Sequence, residues 1–249
     1  MAITIKNDKH MELMREAGKI NAKVLELMEQ NIKPGISTKA LDKIAFDFIK
    51  SNDATPSFKG YGGFPATICA SVNNQLIHGI PSDIILKEGD IISIDVGTYK
   101  NGFHADAART FAVGNISNEA KKLIDVTKQS FFEGIKFAKV GYYLYDISAA
   151  IQEYIEDNGF SVVRDYVGHG IGKQLHEDPQ IPNFRPFHKK GPKLIRGMAL
   201  AIEPMVNVGA KDIKVLQDGW TVVTKDGSLC AHYENTILIT EDEPEILTL

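Results

Sequence analysis

The sequence predicts an α+β fold in which one curved sheet is backed by four helices. Two stretches with helical spacing of apolar residues are followed by strand-like runs, and the same order of elements begins again after Gly114-Asn115. An Asn101-Gly102 pair, typical of a tight hairpin, lies between two of the strand-like runs. We expect a single domain, residues 1–249, made of two similar halves, residues 1–114 and 115–249, although no residue-level repeat is visible.

The composition is that of an ordinary globular protein and excludes several functional classes. Of 249 residues, 43% are hydrophobic and 24% charged, and the formal net charge of -4 argues against a nucleic-acid-binding module. The start of the chain becomes charged before any signal-peptide segment develops, and no run of about 18 apolar residues occurs. We therefore expect a cytoplasmic protein that needs neither nucleic acid nor membrane. Cys69 and Cys230 lack metal or redox spacing and are expected to be free thiols.

The first half is predicted to begin with two helices. Apolar residues at steps of three and four, from Leu13 to Leu27, predict a helix over 8–30, which the Lys33-Pro34-Gly35 segment ends. Thr38 is a good N-cap for a second helix that stops near Ser51-Asn52. Short strands are then expected over 68–72 and 76–77, before the central hairpin.

The second half repeats this order. Helical spacing returns from Ala120 to Ala138, and a further helix carries Ile147, Ile151 and Tyr154 before it stops at Asn158-Gly159. Strands are predicted over 161–167, 198–206, 220–224 and 231–239, with an Asp226-Gly227 hairpin between the last two. The segment from Leu175 to Arg196, rich in Pro, His and Lys, is expected to be one long irregular loop.

The central hairpin places two aspartates on one face. If Asn101 and Gly102 form the turn, paired residues have numbers that sum to 203, so Asp106 lies opposite Gly97 and one diagonal step from Asp95. Asp95 stands in an apolar run, where a carboxylate is costly unless it is paired or binds a metal. A metal site is therefore one hypothesis. The alternative is structural, with one aspartate at the solvent edge and the other in a salt bridge to Arg109.

Three more candidate ligands stand in unusual settings in the second half. His169 lies in a glycine-rich G-H-G-I-G run, Glu203 ends an apolar run before Pro204, and Glu234 lies inside a strand-forming segment. Each has a structural explanation alone, as a loop-capping His or an ion-paired Glu. Together, four carboxylates balance two divalent cations, and one imidazole among oxygen ligands suits manganese, iron, cobalt or zinc. Such ions polarise a carbonyl and activate water, as amide hydrolysis requires.

Seven motifs, in order through nearly the whole chain, resemble those of the type I methionine aminopeptidases. They are H-G-I-P with His78, I-D-V-G with Asp95, A-D-A-A-R-T with Asp106, G-H-G-I-G with His169, L-H-E-D-P-Q with His176, A-I-E-P-M with Glu203 and Y-E-N-T with Glu234. Gaps of 34 and 31 residues between the last three ligands leave no room for the insertion of type II relatives, and no extension is expected before the first helix. The family usually has His at the position of Asn235. This difference is expected to alter how neighbouring side chains support Glu234 as a ligand.

The resemblance implies a pita-bread fold and an enzyme that removes the initiator methionine from nascent polypeptides, preferring a small second residue. It implies one cation held by His169, Glu203, Asp106 and Glu234, and another held by Asp95 with the shared Asp106 and Glu234. It also implies that His176 faces the scissile carbonyl, that His78 contacts the substrate amide and that Glu203 shuttles protons. Side chains resembling the methionine pocket are Phe58, Tyr61, Phe64, Cys69 and Trp220, each with core packing as the alternative role. We expect a monomer.

Two other functions are weighed against this one. A Pro-specific peptidase of the same fold usually carries an additional N-terminal domain, which is not expected here. A non-catalytic binding module on the same scaffold typically loses metal ligands, and all five are present. The Gly168–Lys173 segment is not a phosphate loop, because Val167 stands where the spacing requires Gly and Gln174 where it requires Ser or Thr.

Overall fold

The computed structural model describes residues 2–249. Its four helices are α1 (Asp8–Asn31), α2 (Thr38–Ser51), α3 (Asn118–Ile135) and α4 (Leu144–Asp157). The predicted helices are therefore all present. The predicted cap of α2 is wrong by one residue: Ser37, whose backbone is extended, accepts a hydrogen bond from the Ala40 N–H. Thr38 is already helical, and its hydroxyl donates to the Ser82 carbonyl instead.

The strands of the described residues fall into one large and two small antiparallel sheets. In chain order they are β1 (Thr55–Pro56), β2 (Ile68–Val72), β3 (Gln75–Ile77), β4 (Ile91–Lys100), β5 (Phe103–Ala112), β6 (Ser161–Val162), β7 (Gly168–Gly170), β8 (Glu177–Ile181), β9 (Ala199–Ile202), β10 (Met205–Asn207), β11 (Ile213–Val215), β12 (Val222–Thr224), β13 (Cys230–His232), β14 (Glu234–Leu238) and β15 (Glu245–Ile246). A 3₁₀ turn, Tyr61–Gly63, interrupts the loop before β2.

The large sheet has nine strands and joins the two halves of the chain. Its order is β1-β4-β5-β14-β9-β7-β8, with β2 also paired to β4 and β15 to β14. The halves meet where β5 pairs with β14, Ala107 opposite Asn235 and Ala108 opposite Glu234. The small sheets, β13-β10-β6 and β11-β12-β3, are separate from the large one, so the strands do not form the one continuous sheet that the sequence predicted. Equivalence of residues 1–114 and 115–249 stays a prediction, because element order alone does not establish it.

The helices cover one face of the large sheet and leave the other for polar side chains. On β4, Ile92, Ile94 and Val96 are buried in one apolar cluster with α1 and α2. A second cluster joins α3 and α4 to strands of the second half. Because strand side chains alternate, Asp95 points to the face away from α1 and α2. The same alternation is visible where the Ser93 hydroxyl meets that of Thr110 across β4 and β5, 2.8 Å apart.

The central hairpin has the predicted turn and register. Asn101 and Gly102 have φ of 50° and 89°, and Gly97 pairs with Asp106. Asp95 pairs with Ala108, so the two aspartates lie one diagonal step apart on one face. The local turn chemistry thus sets the relative position of two side chains that a hydrophobic pattern alone would not place.

Several predicted strands are shorter than expected, because the chain changes sheets within them. The run over 198–206 divides at Pro204, which cannot donate to a ladder, and the run over 231–239 divides at Tyr233. The two breaks are opposite each other, since the Tyr233 N–H donates to the Pro204 carbonyl. The run over 161–167 keeps only β6 as a strand.

Two loop predictions are also corrected. Asp226 and Gly227 form a turn, with Gly227 at φ 80°, but β12 and β13 belong to different sheets and make no hairpin. The segment 175–196 is not wholly irregular, since β8 lies within it and pairs with β7. Both cysteines are free and buried, as predicted. Among residues 2–249, no helix is long and apolar enough to cross a membrane.

Replacing Gly102 by Ala should destabilise the hairpin. Gly102 has φ of 89° and nothing within 4 Å of an added Cβ, so backbone strain is the only cost, and we expect about 1 kcal/mol less free energy of unfolding. Chemical denaturation of metal-free protein measures it. Asn101→Gly is the matched control, because glycine accepts the same positive φ. Equal stability of Gly102→Ala and wild type would show that the turn is not held in this conformation.

Candidate metal centre

Five ligand-type side chains come from five neighbouring strands of the large sheet. Following the spatial order β4-β5-β14-β9-β7, each strand or its end supplies one. The side chains, in that order, are those of Asp95, Asp106, Glu234, Glu203 and His169. Glu203 follows β9 directly, where Pro204 ends the strand. All five line one cavity. The sheet therefore gathers residues that are up to 139 positions apart in the chain.

The register of the strands opens space between the carboxylates. Cys69 pairs with Asp95, Asp95 with Ala108, and Ala108 with Glu234, which makes one row across four strands. Paired residues present their side chains on the same face, so only the Ala108 methyl group stands between the two acids. Thr236 fixes the neighbouring acid, because its hydroxyl bonds the backbone N–H and C=O of Asp106, each at 2.9 Å.

The imidazole of His169 is oriented to offer a ligand atom to the same space. Its Nδ1 lies 2.8 Å from the Gly170 carbonyl oxygen, which accepts a hydrogen bond when Nδ1 carries the proton. That tautomer leaves the Nε2 lone pair free to bind a metal. One ligand atom each from Asp106, His169 and Glu234 lies within 4.8 Å of the others. Glu203 Oε1 is 3.9 Å from His169 Nε2.

Burial and mutual repulsion disfavour charge on the four acids. Burial raises the pKa of Asp106 to about 7. Burial, and then the charge of Asp106, raise the pKa values of Asp95, Glu203 and Glu234 well above those of ordinary carboxyl groups. Burial also lowers the pKa of His169 to about 3, which keeps the imidazole neutral. A cation would reverse this penalty for the acids and needs the neutral imidazole.

The residues fit a divalent metal. Asp95 Oδ1, Asp106 Oδ1 and Glu234 Oε1 are buried and have no hydrogen-bond partner among residues 2–249. Buried carboxylate oxygens without donors are costly unless a cation binds them. Four carboxylates with one imidazole nitrogen are the ligand types that manganese, iron, cobalt and zinc accept.

Arg109 forms no salt bridge with Asp95 or Asp106, and both aspartates are buried, so the structural alternative for them is wrong. Its guanidinium lies on the helix side of the sheet and donates to the carbonyls of Ala108 and Glu234, at 2.8 and 2.5 Å, and to Asn235 Oδ1. Asn235 thus points away from the carboxylates, and its Oδ1 also accepts from the Thr248 hydroxyl. The Asn at this position, where the family usually has His, therefore affects contacts on the face of β14 opposite the Glu234 carboxylate.

The cavity that holds the ligands continues into an aromatic pocket. Its volume is about 230 Å³. Every side chain predicted for the site lines it, the candidate substrate residues being Phe58, Tyr61, Phe64, Cys69, His78, His176 and Trp220. Phe58, Phe64 and Cys69 are also buried in one apolar cluster, so they serve packing as well. The structure therefore puts the polar and apolar candidates at one place.

Two further histidines face the cavity beside the ligands. His176 lies with its ring centroid 4.3 Å from that of His169, and its Nδ1 is 2.8 Å from the Tyr61 hydroxyl oxygen. His78 meets the rings of Tyr166 and Trp220 edge-on. Burial lowers the pKa of His78 to about 4 and also lowers that of His176. Both imidazoles are thus neutral near pH 7 and carry one N–H donor each.

The sequence reasoning missed two residues of the site. Tyr166 lines the cavity and contacts His78, but its position before the G-H-G run carries no local signal. His232 is buried, with Nε2 3.5 Å from Glu203 Oε2 and no hydrogen-bond partner for either ring nitrogen among residues 2–249. Its place two residues before Glu234 on a strand-like run was a signal, because alternate residues share a face.

Comparison with known proteins gives one consistent result. Residues 12–241 match the model of metallopeptidase family M24. A methionine aminopeptidase of Clostridium perfringens is 61% identical over 248 residues, which cover 99% of each chain. A crystal structure of methionine aminopeptidase from Rickettsia prowazekii superposes with a TM-score of 0.97 at 42% identity, over 100% of both chains.

A more distant likeness concerns the fold alone. The prolidase from Pyrococcus furiosus superposes with a TM-score of 0.81 at 23% identity, over 98% of this chain and 65% of that one. The pita-bread fold that the motifs implied is thus confirmed.

Metal-free protein should become less stable as the pH rises towards the pKa of Asp106. Folded Asp106, with a pKa of about 7, keeps a proton that the unfolded chain releases near pH 4, so the free energy of unfolding falls between about pH 4 and 7. This contribution is at most about 1.4 kcal/mol per pH unit and is absent in Asp106→Asn.

Denaturation of chelator-treated wild type and Asp106→Asn at pH 5, 6 and 7 measures the difference. The exposed Asp83→Asn variant is the control and should follow wild type. Parallel pH profiles for wild type and Asp106→Asn would contradict the assignment of a raised Asp106 pKa.

Proposed function

The chain belongs to metallopeptidase family M24, within it to the methionine aminopeptidases, and we propose that it releases N-terminal methionine with water activated by divalent cations. It is a peptidase, and removal of N-terminal methionine is the function of these relatives. The observation that carries the mechanism is the cluster of four acids, three of them buried, and one buried imidazole beside an aromatic pocket.

Two cations would balance the four carboxylates. We propose that His169, Glu203, Asp106 and Glu234 hold one cation, and that Asp95, with the shared Asp106 and Glu234, holds the other. When bound, such cations polarise the scissile carbonyl and lower the pKa of water towards about 7. Donor types leave manganese, iron, cobalt and zinc as candidates.

Glu203 is proposed to carry the proton from the attacking water to the leaving amine. Its carboxylate lies at the edge of the ligand cluster, with His169 on one side and His232 on the other. A carboxylate placed between two imidazoles at this edge is within reach of groups with which it can exchange a proton.

His176 and His78 are proposed to bind the peptide bond. If the Tyr61 hydroxyl donates to His176 Nδ1, the Nε2–H faces outward as a donor for the developing oxyanion. His78 is neutral and held between two aromatic rings, so it offers a fixed hydrogen bond to the substrate amide. Each histidine thus has one proposed role and aromatic neighbours that orient it.

The aromatic pocket is proposed to take the methionine side chain. Rings of Phe58, Tyr61, Phe64 and Trp220 line it, and sulfur–aromatic contacts contribute about 0.3 to 1.5 kcal/mol each. We also propose a preference for a small second residue, as the family resemblance implies. We propose nascent polypeptide N-termini as substrates, the cytoplasm as the location and a monomer as the working form.

A peptide assay tests the function. Protein loaded with manganese, cobalt or iron should release methionine from Met-Ala-Ser faster than from Met-Leu-Ser, and should not cleave Ala-Pro-Ser. Asp106→Asn should be inactive with each metal while its circular dichroism spectrum stays that of wild type, because a bridging charge is lost. Absence of methionine release with every metal would contradict the function, and cleavage of Ala-Pro-Ser alone would favour a Pro-specific peptidase.

Replacing His176 by Ala should lower kcat with metal still bound. Loss of one oxyanion donor costs about 2.7 to 4 kcal/mol, or roughly 100- to 1000-fold in kcat. Steady-state kinetics on Met-Ala-Ser and metal content of the same samples measure both properties. His188→Ala, in an exposed loop, is the control and should retain wild-type kcat. An unchanged kcat in His176→Ala would remove this residue from the mechanism.

A further inference from the structure

A buried ion pair involves Glu177, the residue that follows His176 in the chain. Lys6 Nζ is 2.6 Å from Glu177 Oε2, and the two side chains are 4% and 8% exposed. The Thr4 hydroxyl donates to the same carboxylate oxygen. Lys and Glu are rarely buried unless they are paired, and such a pair contributes little net stability compared with apolar residues. Its place next to a proposed catalytic histidine therefore calls for a reason other than stability.

Lys6 and Glu177 hold the loop that joins His169 to His176. Glu177 Oε1 accepts from the Gln174 N–H at 3.1 Å, which closes the turn before His176. Lys6 packs against the middle of this loop at Gly172, where an added Cβ would lie 2.6 Å from Lys6 Cε and 2.7 Å from Glu177 Oε1. The loop thus has room for the pair only because residue 172 is glycine.

The backbone of Lys6 is fixed from the other side. Its N–H donates to the Gly197 carbonyl at 2.7 Å, and a Cβ on Gly197 would lie 2.5 Å from the Lys6 carbonyl oxygen. The ammonium group therefore stands at the end of a side chain whose origin is anchored to the segment before β9. Movement of Glu177, and of His176 with it, is restrained by contacts outside the loop itself.

We propose that Lys6 and Glu177 are positioning residues that hold the His176 ring at the reaction site, and that the segment before α1 is thereby part of the active-site framework. The pair restrains the loop that carries His176, and the Tyr61 hydroxyl restrains the ring itself through its contact with Nδ1. The kinetic part of this inference rests on the proposed function, whereas the structural part does not.

A double-mutant cycle separates positioning from general stability. Lys6→Met should lower kcat on Met-Ala-Ser up to roughly 100-fold, because small displacements of a catalytic group have effects of this size. In a His176→Ala background the same change should lower kcat less than about 2-fold, since the group it positions is absent. Metal content should match wild type throughout. Equal losses in both backgrounds would overturn the proposal.

A second variant guards against unfolding of the first. Lys6→Met leaves a buried unpaired acid, whereas the double variant Lys6→Met/Glu177→Leu removes both charges and is expected to fold. It also lacks the acceptor for Gln174, so its kcat should remain low. Wild-type kcat in this folded double variant would overturn the proposal. Arg15→Met, which breaks the half-exposed pair of Arg15 with Glu245, is the matched control and should keep wild-type kcat.

The NMR signals of the histidine rings in metal-free protein provide a test that does not depend on activity. In Lys6→Met and in the double variant, the ring signals of His176 should shift or broaden, while those of exposed His188 stay in place. Unchanged His176 signals in both variants would overturn the proposal. If wild type released no methionine with any metal, the proposed function would fail, and these signals alone would still decide whether the pair positions His176.

Discussion

Burial of like charges is the constraint on which this structure depends. Four carboxylates share one cavity with a neutral imidazole, and the half-buried guanidinium of Arg109 donates to carbonyls and to Asn235 on the opposite face. Nothing in such an arrangement favours folding by itself, since each acid is desolvated beside another acid. The apolar clusters under the helices stabilise the fold, and this stability offsets the cost of burying the acids that are proposed to bind cations.

The sheet meets this constraint by taking one of the five proposed ligands from each of five adjacent strands. A sheet of paired strands is rigid, and its register fixes neighbouring side chains within a few ångströms. Small residues maintain the space, as the Ala108 methyl group does between Asp95 and Glu234. Second contacts then fix orientation: Thr236 for Asp106, the Gly170 carbonyl for His169 and Tyr61 for His176. Geometry suited to catalysis is thus a property of the scaffold before substrate arrives.

Features set by local chemistry were predictable from the sequence, and those set by long-range pairing were not. Asn101-Gly102 determines its own turn, and with it the relation of Asp95 to Asp106. By contrast, Asp226-Gly227 makes a turn whose flanking strands find partners elsewhere, because β12 and β13 pair with other segments. The convergence of His169 and Glu203 was inferred from ligand-type residues in unusual settings and from the family resemblance, because no local pattern fixes how close they lie. His232 escaped notice because a histidine in an apolar run usually has a packing role, and its distance to Glu203 is visible only in three dimensions.

The seam between β5 and β14 has a consequence for how the site comes into being. Asp95 and Asp106 precede α3, while His169, Glu203 and Glu234 follow it, so neither portion of the chain contains all five proposed metal ligands. Cation binding at the proposed site therefore requires both portions of the chain to be folded together. If the chain were cut between β5 and α3, neither fragment alone should bind the cations. Recovery of cation affinity when the two fragments are mixed would show that β5 and β14 had paired.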